Sequence, residues 1–282
     1  MRSSLEKNGI SVVMPIYLLT SATDCKAAVE SVLNQTKAPR ELVIVLDGLI
    51  NREVEIYLQS LGSFQNSTEI KIVRLEENLG PGIARAYGVE ASSFETIAWM
   101  DSDDVSMPLR LERQFYALWA ESDLLDVVGA WIKEINESNI IYERRMPEQH
   151  HEIALLSRFR SPLNNVTAMF KRSVYQRVMN GVVNDLRFGE DYYVWMRMLG
   201  NGVRFKNLQE VLVEVDVSKG FFSRRGIYQL PQEIELLRRL RKEKLLKTRY
   251  FFLQLLYRVL IRSTPIFIRK YFYSWIRVQR VI

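Results

Sequence analysis

Three aspartates stand close together in this chain, directly after an apolar segment. Asp101, Asp103 and Asp104 follow residues 96–100. Carboxylates at this spacing repel one another, and a divalent cation relieves the repulsion. Hard ions such as Mg²⁺ and Mn²⁺ prefer carboxylate oxygens and leave positions open for substrate phosphates. The Asp-x-Asp pattern therefore predicts a metal-diphosphate site; the alternative is an acidic turn before the helix expected near Pro108.

The elements that must position these aspartates alternate between strands and helices. Strand-like segments are 10–15, 41–46, 69–74 and 96–100, and helix-like segments are 22–35, 52–61 and 81–90. Continuous apolar strands separated by helices predict a parallel sheet covered on both faces. Ligands of such sheets bind beyond the carboxyl ends of the strands. Asp47 and Asp101 both follow strands, so we expect them at the same edge.

Beyond Pro108 the pattern becomes mixed. It predicts helices at 109–119, 150–159 and 189–199, a hairpin formed by 124–135 and 140–144, and a strand at 166–170 followed by a helix from about residue 173. Glycines, arginines and a proline break the pattern between residues 217 and 231. We therefore expect a domain at 1–217 and a helical tail at 218–282.

Composition excludes several other classes of protein. The 282 residues are 48% hydrophobic, which suits a packed soluble core, and no apolar run approaches the roughly 18 residues of a membrane span. The single cysteine, Cys25, forms no intrachain disulfide, and a reducing compartment is the default expectation.

Six segments, in order, resemble a family 2 glycosyltransferase of the GT-A fold. They are SVVMPIY, SVLNQT, ELVIVLDG, NLGPGIARAYG, WMDSDD and FGEDYYVWMRM. The resemblance runs over about residues 10–217 and is greatest to bacterial enzymes that build O-antigen, capsule or exopolysaccharide. It implies an α/β fold with a mostly parallel, Rossmann-like sheet flanked by helices. A nucleotide-sugar half would occupy about 1–105 and an acceptor half about 106–217.

The resemblance also implies a set of donor-binding residues. They are Pro15, Tyr17, Asp47, Arg85, Asp101 and Asp103. The family's second strand usually ends in two aspartates, whereas here only Asp47 is present to contact uracil or ribose, and a plain turn is its alternative. Arg85 would reach the nucleotide or diphosphate, and its alternative is a solvated charge on a helix.

The metal site is implied in the same way. Asp103 resembles the direct metal ligand, Asp101 the ribose and metal-shell aspartate, and Asp104 a residue that orients the loop or accepts from backbone amides. The ion, Mn²⁺ or Mg²⁺, would bridge both phosphates of a nucleotide-diphosphate sugar and neutralise the leaving diphosphate.

On the acceptor side, the resemblance implies that Asp191 is the general base and that Glu190 and Asn165 contact the acceptor. Asp191 would take a proton from the attacking hydroxyl, and a single displacement would invert the anomeric configuration. Simple capping of a helix N-terminus is the alternative for this acidic pair. Trp195, one turn after Asp191, packs either against the acceptor sugar or in the core.

The tail is strongly basic. Residues 224–282 carry 15 Lys and Arg but 3 Glu, although the whole chain has a net charge of only +6, so the body is acidic. Interleaved aromatic and aliphatic residues predict amphipathic helices that lie on an anionic membrane surface. A helical cap on the domain is the alternative. Nucleic acid is disfavoured because the body is acidic and contains no nucleic-acid module.

These observations predict an inverting, metal-dependent hexosyltransferase on the cytoplasmic face of a bacterial inner membrane. The family resemblance implies that the donor would be a UDP-sugar and that a galactosyl or glucosyl group would pass in β-linkage to a lipid-diphosphate-linked sugar of a surface polysaccharide. One alternative is a sugar nucleotidyltransferase, which needs a Gly-rich basic loop that SVVMPIYLLTSATD lacks. Another is a non-catalytic, membrane-associated scaffold of the same fold.

Overall fold

The computed structural model describes residues 9–62, 64–65, 67–120, 124–136, 139–217 and 227–264. The strands are β1 (Ile10–Ile16), β2 (Glu41–Asp47), β3 (Phe64–Gln65), β4 (Thr68–Leu75), β5 (Thr96–Trp99), β6 (Asp104–Ser106), β7 (Val127–Asn136), β8 (Asn139–Arg144), β9 (Met169–Lys171) and β10 (Phe205–Asp216). The helices are α1 (Ala22–Leu33), α2 (Arg52–Ser60), α3 (Pro81–Ala91), α4 (Arg110–Ala120), α5 (His150–Leu156), α6 (Arg172–Met179), α7 (Glu190–Gly200), α8 (Leu230–Lys242) and α9 (Thr248–Ser263).

One curled sheet runs through the molecule in the order β3-β4-β2-β1-β5-β9-β7-β10-β6, and β8 pairs with β7. The nucleotide-side strands β4, β2, β1 and β5 are parallel, as are β7 and β10. β9 joins these two parts in antiparallel pairing with both β5 and β7. The α/β fold class and the hairpin of β7 and β8 are confirmed.

Alternating strand residues divide the core between the two faces of the sheet. Val12 and Met14 of β1 pack on one face with α1 and α4, whereas Val13 packs on the other with α3 and α7. This period of two follows from the pleat of a strand. Helices thus cover both faces, and the carboxyl edge of the sheet stays accessible for a site.

Gly88 sets the position of α3. A β-carbon here would overlap the side chain of Val13 on β1. Without one, α3 lies close against the sheet, and Arg85, one turn earlier, is drawn into the interior beside β5.

The tail helices are part of the same core. α8 buries Leu236, Leu237 and Leu240 against residues of α7, in agreement with the helical-cap alternative for this segment. A domain division at residue 217 stays a prediction. Within the described residues, no helix has the length and apolar character needed to cross a bilayer. The rest of the basic aromatic tail, residues 265–282, lies outside the described residues.

α9 leaves an apolar face uncovered by the described residues. Leu253, Leu256, Tyr257 and Leu260 follow the spacing i, i+3, i+4 and i+7 of one helix face, and each is more than half exposed.

Candidate active site

The Asp-x-Asp motif occupies a short turn between β5 and β6. Asp101 lies just after β5, and Asp104 begins β6, where it is registered with Val215 of β10. The hydroxyl of Ser102 lies 3.1 Å from that of Thr20, in the loop after β1. The turn is therefore held from two sides, and Asp103 within it is exposed.

Carboxylates from several elements line one cavity of about 420 Å³, which we call the acidic cavity. Its acidic lining residues are Asp101, Asp103, Asp104, Glu134, Asp191 and Asp216. Burial, reinforced by the charges of Asp101 and Asp103, raises the pKa of Asp104 well above its usual range, while Arg110 opposes the rise. Arg144 also lines this cavity and pairs with Glu134, and the closely spaced aspartates of the turn still favour a bound cation.

The Asp-x-Asp motif supplies only some of the ligands that a hard divalent ion needs. Asp101 and Asp103 supply the carboxylate oxygens that Mg²⁺ and Mn²⁺ prefer. Among the residues that the structure describes, no group of three or more His, Cys, Asp or Glu is arranged to hold an ion. Water and substrate phosphates would therefore complete the coordination shell, as is usual for Mg²⁺.

Arg85 connects the two acidic motifs. It is only 5% exposed; its Nη2 donates to Asp101 Oδ1 at 2.7 Å and its Nη1 donates to Glu190 Oε1 at 3.1 Å. The guanidinium also lies 5.3 Å from the ring centroid of Trp99. The alternative of a solvated helix charge is therefore wrong. Contact with the nucleotide stays a prediction, and the observed ion pairs tie the Asp-x-Asp turn to α7.

Glu190 and Asp191 begin α7, directly after Gly189 in the left-handed conformation (φ 69°). Burial raises the pKa of Glu190 to about 7; Asp191 adds to the rise and Arg85 opposes it. Burial likewise raises the pKa of Asp191, against the effect of backbone amides and Arg85. A carboxylate whose pKa is raised toward neutrality is a better proton acceptor, so this pair suits general-base chemistry.

A second cavity, of about 630 Å³, lies between the start of α7 and the tail helices. We call it the arginine-lined cavity; its charged lining residues are Arg85, Asp101, Arg160, Arg187, Glu190, Asp191, Glu233, Arg258 and Arg262. Asp101, Asn165 and Asp191 line both cavities, so they stand where the two adjoin. Oδ1 of Asn165 is buried and has no hydrogen-bond partner among the described residues. Contact of Asn165 with the acceptor stays a prediction.

Asp47 is engaged in holding a turn. Its Oδ1 accepts from the amide of Leu79 at 2.7 Å, and its Oδ2 accepts from the amide of Gly80 at 2.9 Å and from Nδ2 of Asn78 at 3.1 Å. The turn leads into α3 and thus helps to place Arg85. These contacts agree with the turn alternative, and contact of Asp47 with uracil or ribose stays a prediction.

Pro15 and Tyr17 lie at the carboxyl end of β1, as expected from the sheet. Pro15 is half-buried within the strand, and Tyr17 is 38% exposed just beyond it. Neither lines the acidic or the arginine-lined cavity. Their place at the edge of the sheet is compatible with a nucleotide lying beside the Asp-x-Asp turn, and their contact with it stays a prediction.

Comparison with known proteins decides the family. Residues 11–180 match the family model described as glycosyl transferase family 2. The chain belongs to this family. The similarity favours glycosyl transfer over the nucleotidyltransferase and scaffold alternatives.

Relatives of this glycosyltransferase include enzymes of surface polysaccharide synthesis. The Escherichia coli UDP-Gal:alpha-D-GlcNAc-diphosphoundecaprenol beta-1,3-galactosyltransferase is 29% identical over 269 residues, which cover 94% of each chain. The O-antigen biosynthesis glycosyltransferase WbnJ of Escherichia coli is 34% identical over 209 residues, covering 72% of this chain and 78% of WbnJ.

Solved structures support the fold. S. aureus TarS 1-349 in complex with UDP superposes with a TM-score of 0.59 at 20% identity, over 81% of this chain and 65% of TarS. The glycosyltransferase thus spans less than two thirds of that solved chain. The GT-A fold expected from the sequence is confirmed.

The acceptor-binding role predicted for Trp195 of the glycosyltransferase does not agree with its position in the structure. Trp195 is 0% exposed and packs against Trp99, Phe170 and Phe205, with ring centroids 5.0 to 6.2 Å apart. The prediction that it stacks on an acceptor sugar is therefore wrong, because no face of the ring is free of protein. Trp195 instead fixes α7, and with it Asp191, against the end of β5.

Several residues of the glycosyltransferase site were missed from the sequence. Asp216 ends β10 opposite the start of β6 and lines the acidic cavity. Its acidic side chain at the end of a strand is a sequence signal that could have identified it. Arg187 donates to Oδ1 of Asn78 at 2.7 Å and to its carbonyl oxygen at 2.9 Å, closing the loop before α7 onto the turn before α3. Arg160 and Arg258 gave no local signal.

Proposed function

We propose that this glycosyltransferase is an inverting, metal-dependent hexosyltransferase of bacterial surface polysaccharide synthesis. It transfers a galactosyl or glucosyl group, in β-linkage, from a UDP-sugar to a hydroxyl of a lipid-diphosphate-linked sugar. Similarity to the E. coli UDP-Gal:alpha-D-GlcNAc-diphosphoundecaprenol beta-1,3-galactosyltransferase over 94% of the chain supports these donor and acceptor classes. Mn²⁺ or Mg²⁺ is the proposed cofactor.

The observation that carries this proposal is the position of Asp101 and Asp191 at the junction of the two cavities. Asp101 and Asp103 would hold the ion that assists departure of the donor's diphosphate. Asp191 takes the proton of an acceptor hydroxyl bound at the junction, which Asn165 also lines. When bound, the metal stabilises the negative charge that develops on the leaving diphosphate.

Asp103→Asn tests the metal site. Because Asp103 is exposed within its turn, the variant should fold normally, and the loss of a charged ligand should weaken Mn²⁺-dependent binding of UDP roughly 10- to 100-fold. Calorimetry of UDP binding with and without Mn²⁺ measures the effect. Asp185→Asn, an exposed carboxylate outside both cavities, is the matched control. Equal Mn²⁺-dependent affinity in wild type and Asp103→Asn contradicts the proposed metal role.

The donor and acceptor are tested by direct transfer assays. UDP-galactose and UDP-glucose should each be offered with synthetic sugar-diphosphate-alkyl acceptors, and product configuration read by the coupling constant of the new anomeric proton. Transfer from one of the two donors with inversion supports the proposal. Retention of configuration, or transfer from GDP-sugars alone, contradicts it.

We also propose that the glycosyltransferase acts on the cytoplasmic face of the inner membrane, held there by its basic tail. The exposed apolar face of α9 supports this, since Leu253, Leu256 and Leu260 stand on the same helix as the exposed Arg249. A cationic helix with such a face suits the interface of an anionic bilayer.

Paired charge substitutions test the membrane proposal. Removing the tail after residue 217 would expose the core that α8 covers, so the change belongs on the exposed face of α9. The double variant Leu256→Asp, Leu260→Asp should sediment with anionic vesicles at least about tenfold less than wild type. It lacks two apolar side chains whose transfer from water into the membrane favours binding. Ile56→Asp, an exposed apolar position on α2, is the control. Unchanged sedimentation of the double variant contradicts the role of this face.

A further inference from the structure

The two ends of the arginine-lined cavity differ in charge. Near the start of α7, Arg85 is balanced by Asp101 and Glu190. The opposite walls come from α8, α9 and the segment before Ser161. Among the described residues there, the charged groups are Arg160, Arg258, Arg262 and Glu233. Three guanidiniums therefore face one carboxylate at this end.

Arg258 is held in place by buried neighbours. Its Nη2 donates to Oε1 of Gln254 at 3.1 Å, and its Nη1 lies 3.8 Å from Oε1 of Glu233. Gln254 is itself buried, and its Nε2 donates to the hydroxyl of Tyr192 on α7 at 3.0 Å. The guanidinium is thus fixed at the cavity wall before any ligand arrives, which lowers the entropic cost of binding one.

The carboxylate of Glu233 is shared between Arg258 and a second arginine. The same carboxylate pairs more closely with Arg262, whose Nε lies 3.3 Å from Oε2. Burial, with a smaller contribution from Arg262, lowers the pKa of Arg258, and Glu233 opposes this. Arginine stays protonated in proteins, so an excess of positive charge is left on this wall. Guanidinium groups bind phosphate oxygens through paired, charge-assisted hydrogen bonds.

The same wall continues into an apolar surface. Tyr257 and Ile261 line the cavity from α9, and Phe159 lines it from the opposite side. Tyr257 also belongs to the exposed face of α9, together with Leu253, Leu256 and Leu260, which lie outside the cavity. A ligand that combines an anionic group with a hydrocarbon chain can therefore bind the arginines with its anionic group and the apolar side chains with its hydrocarbon chain.

We propose that Arg160 and Arg258 form a subsite for the diphosphate of a lipid-linked acceptor, with the lipid chain leaving along the exposed face of α9. The inference rests on the proposed function and adds where the acceptor's anionic group binds. It assigns the two diphosphates of the reaction to opposite sides of Asp191. The donor's diphosphate lies at the carboxylates with a metal, and the acceptor's lies at the arginines without one.

Metal-free binding of a simple probe tests the subsite apart from catalysis. An alkyl diphosphate without a sugar is titrated by calorimetry into the full chain in the presence of a chelator. Arg258→Gln and the exposed Arg160→Gln should each weaken binding about tenfold or more, because each removes charge-assisted hydrogen bonds. Arg238→Gln is the matched control, since Arg238 is an exposed cation of α8 outside the cavity.

Each outcome of the titration either supports or overturns the proposed diphosphate subsite. Equal affinity of the wild type and both arginine variants overturns the subsite, as does binding that requires Mn²⁺ and is lost in Asp103→Asn. Inorganic pyrophosphate that binds as tightly as the alkyl probe overturns the part played by the lipid chain. The proposed function fails separately: if no nucleotide sugar supports transfer, arginine-dependent binding of the probe still establishes the subsite.

Steady-state kinetics gives a second readout. With a sugar-diphosphate-alkyl acceptor, Arg258→Gln should raise the acceptor KM about tenfold and leave kcat and the KM of the donor close to wild type. With a matched alkyl glycoside that lacks the diphosphate, wild type and variant should behave alike. An equal rise of KM for both acceptors overturns the assignment to the diphosphate.

Discussion

Asp191→Asn should lower kcat for glycosyl transfer about 10²- to 10⁴-fold, the range expected for loss of a general base. The amide has nearly the shape of the carboxylate and keeps the N-terminus of α7 intact, yet it does not accept the proton of the acceptor hydroxyl. Donor binding should change little, because the residues proposed to hold the donor diphosphate, Asp101 and Asp103, are untouched. Single-turnover transfer and calorimetry with UDP and Mn²⁺ measure the two quantities separately.

The pH profile adds a second check on Asp191. Burial raises the pKa of Asp191 and of Glu190, the latter to about 7. A base must be ionised to act, so kcat should fall as the pH drops through the raised pKa of Asp191, at a higher pH than for an ordinary carboxyl. Asp185→Asn serves as the control, since this exposed carboxylate lies outside both cavities. An equal loss of donor binding and transfer in Asp191→Asn removes Asp191 from the role of base.

Arg85→Met should be among the most destabilising substitutions in the glycosyltransferase. It leaves the partly buried carboxylates of Asp101 and Glu190 without their shared cation, and breaking a buried ion pair costs about 3–5 kcal/mol of unfolding free energy. Transfer should be lost as well, because Asp101 and α7 are no longer tied together. Urea unfolding measures the first effect and the transfer assay the second.

Arg74→Met provides the matched control for Arg85. Arg74 pairs with Glu55 on the surface, where its side chain is 57% exposed. Exposed pairs of this kind contribute about 0–1 kcal/mol, so the control should unfold nearly as wild type does. Similar unfolding midpoints for Arg85→Met and Arg74→Met would show that Arg85 does not hold the two acidic motifs.

Much of the donor-side architecture was predictable because its signals are local. The strands before Asp47 and Asp101 are continuous apolar runs, and their order in a parallel sheet brings both residues to one edge. Glu190 and Asp191 are recognisable as the start of a helix from the residues around them. These features depend on a few neighbouring residues, so a single sequence contains them.

The roles of Arg85 and Trp195 depend on contacts between distant segments. Arg85 meets Glu190 across 105 positions of the chain, and no local pattern distinguishes this ion pair from a solvated charge. Trp195 follows Asp191 by one helical turn, but α7 is buried over most of its surface, so the helical period does not tell which side faces the site. Such cases require the three-dimensional packing.

The tail was interpreted from its charge, which says little about packing. The leucines of α8 that enter the core are interspersed with arginines, so the segment resembles a surface helix in sequence. Its burial is decided by the apolar residues of α7 that it meets. The same packing brings α9 to the cavity wall, and no sequence pattern indicated that Arg258 would line the same cavity as Asp191.

The walls of the arginine-lined cavity have an evolutionary consequence. Part of them comes from residues 233–262, beyond the stretch 11–180 that the family holds in common. Under the proposed function, substitutions at the cavity-lining positions of this stretch would alter how the acceptor's diphosphate is held and leave the carboxylates proposed for the nucleotide sugar unchanged.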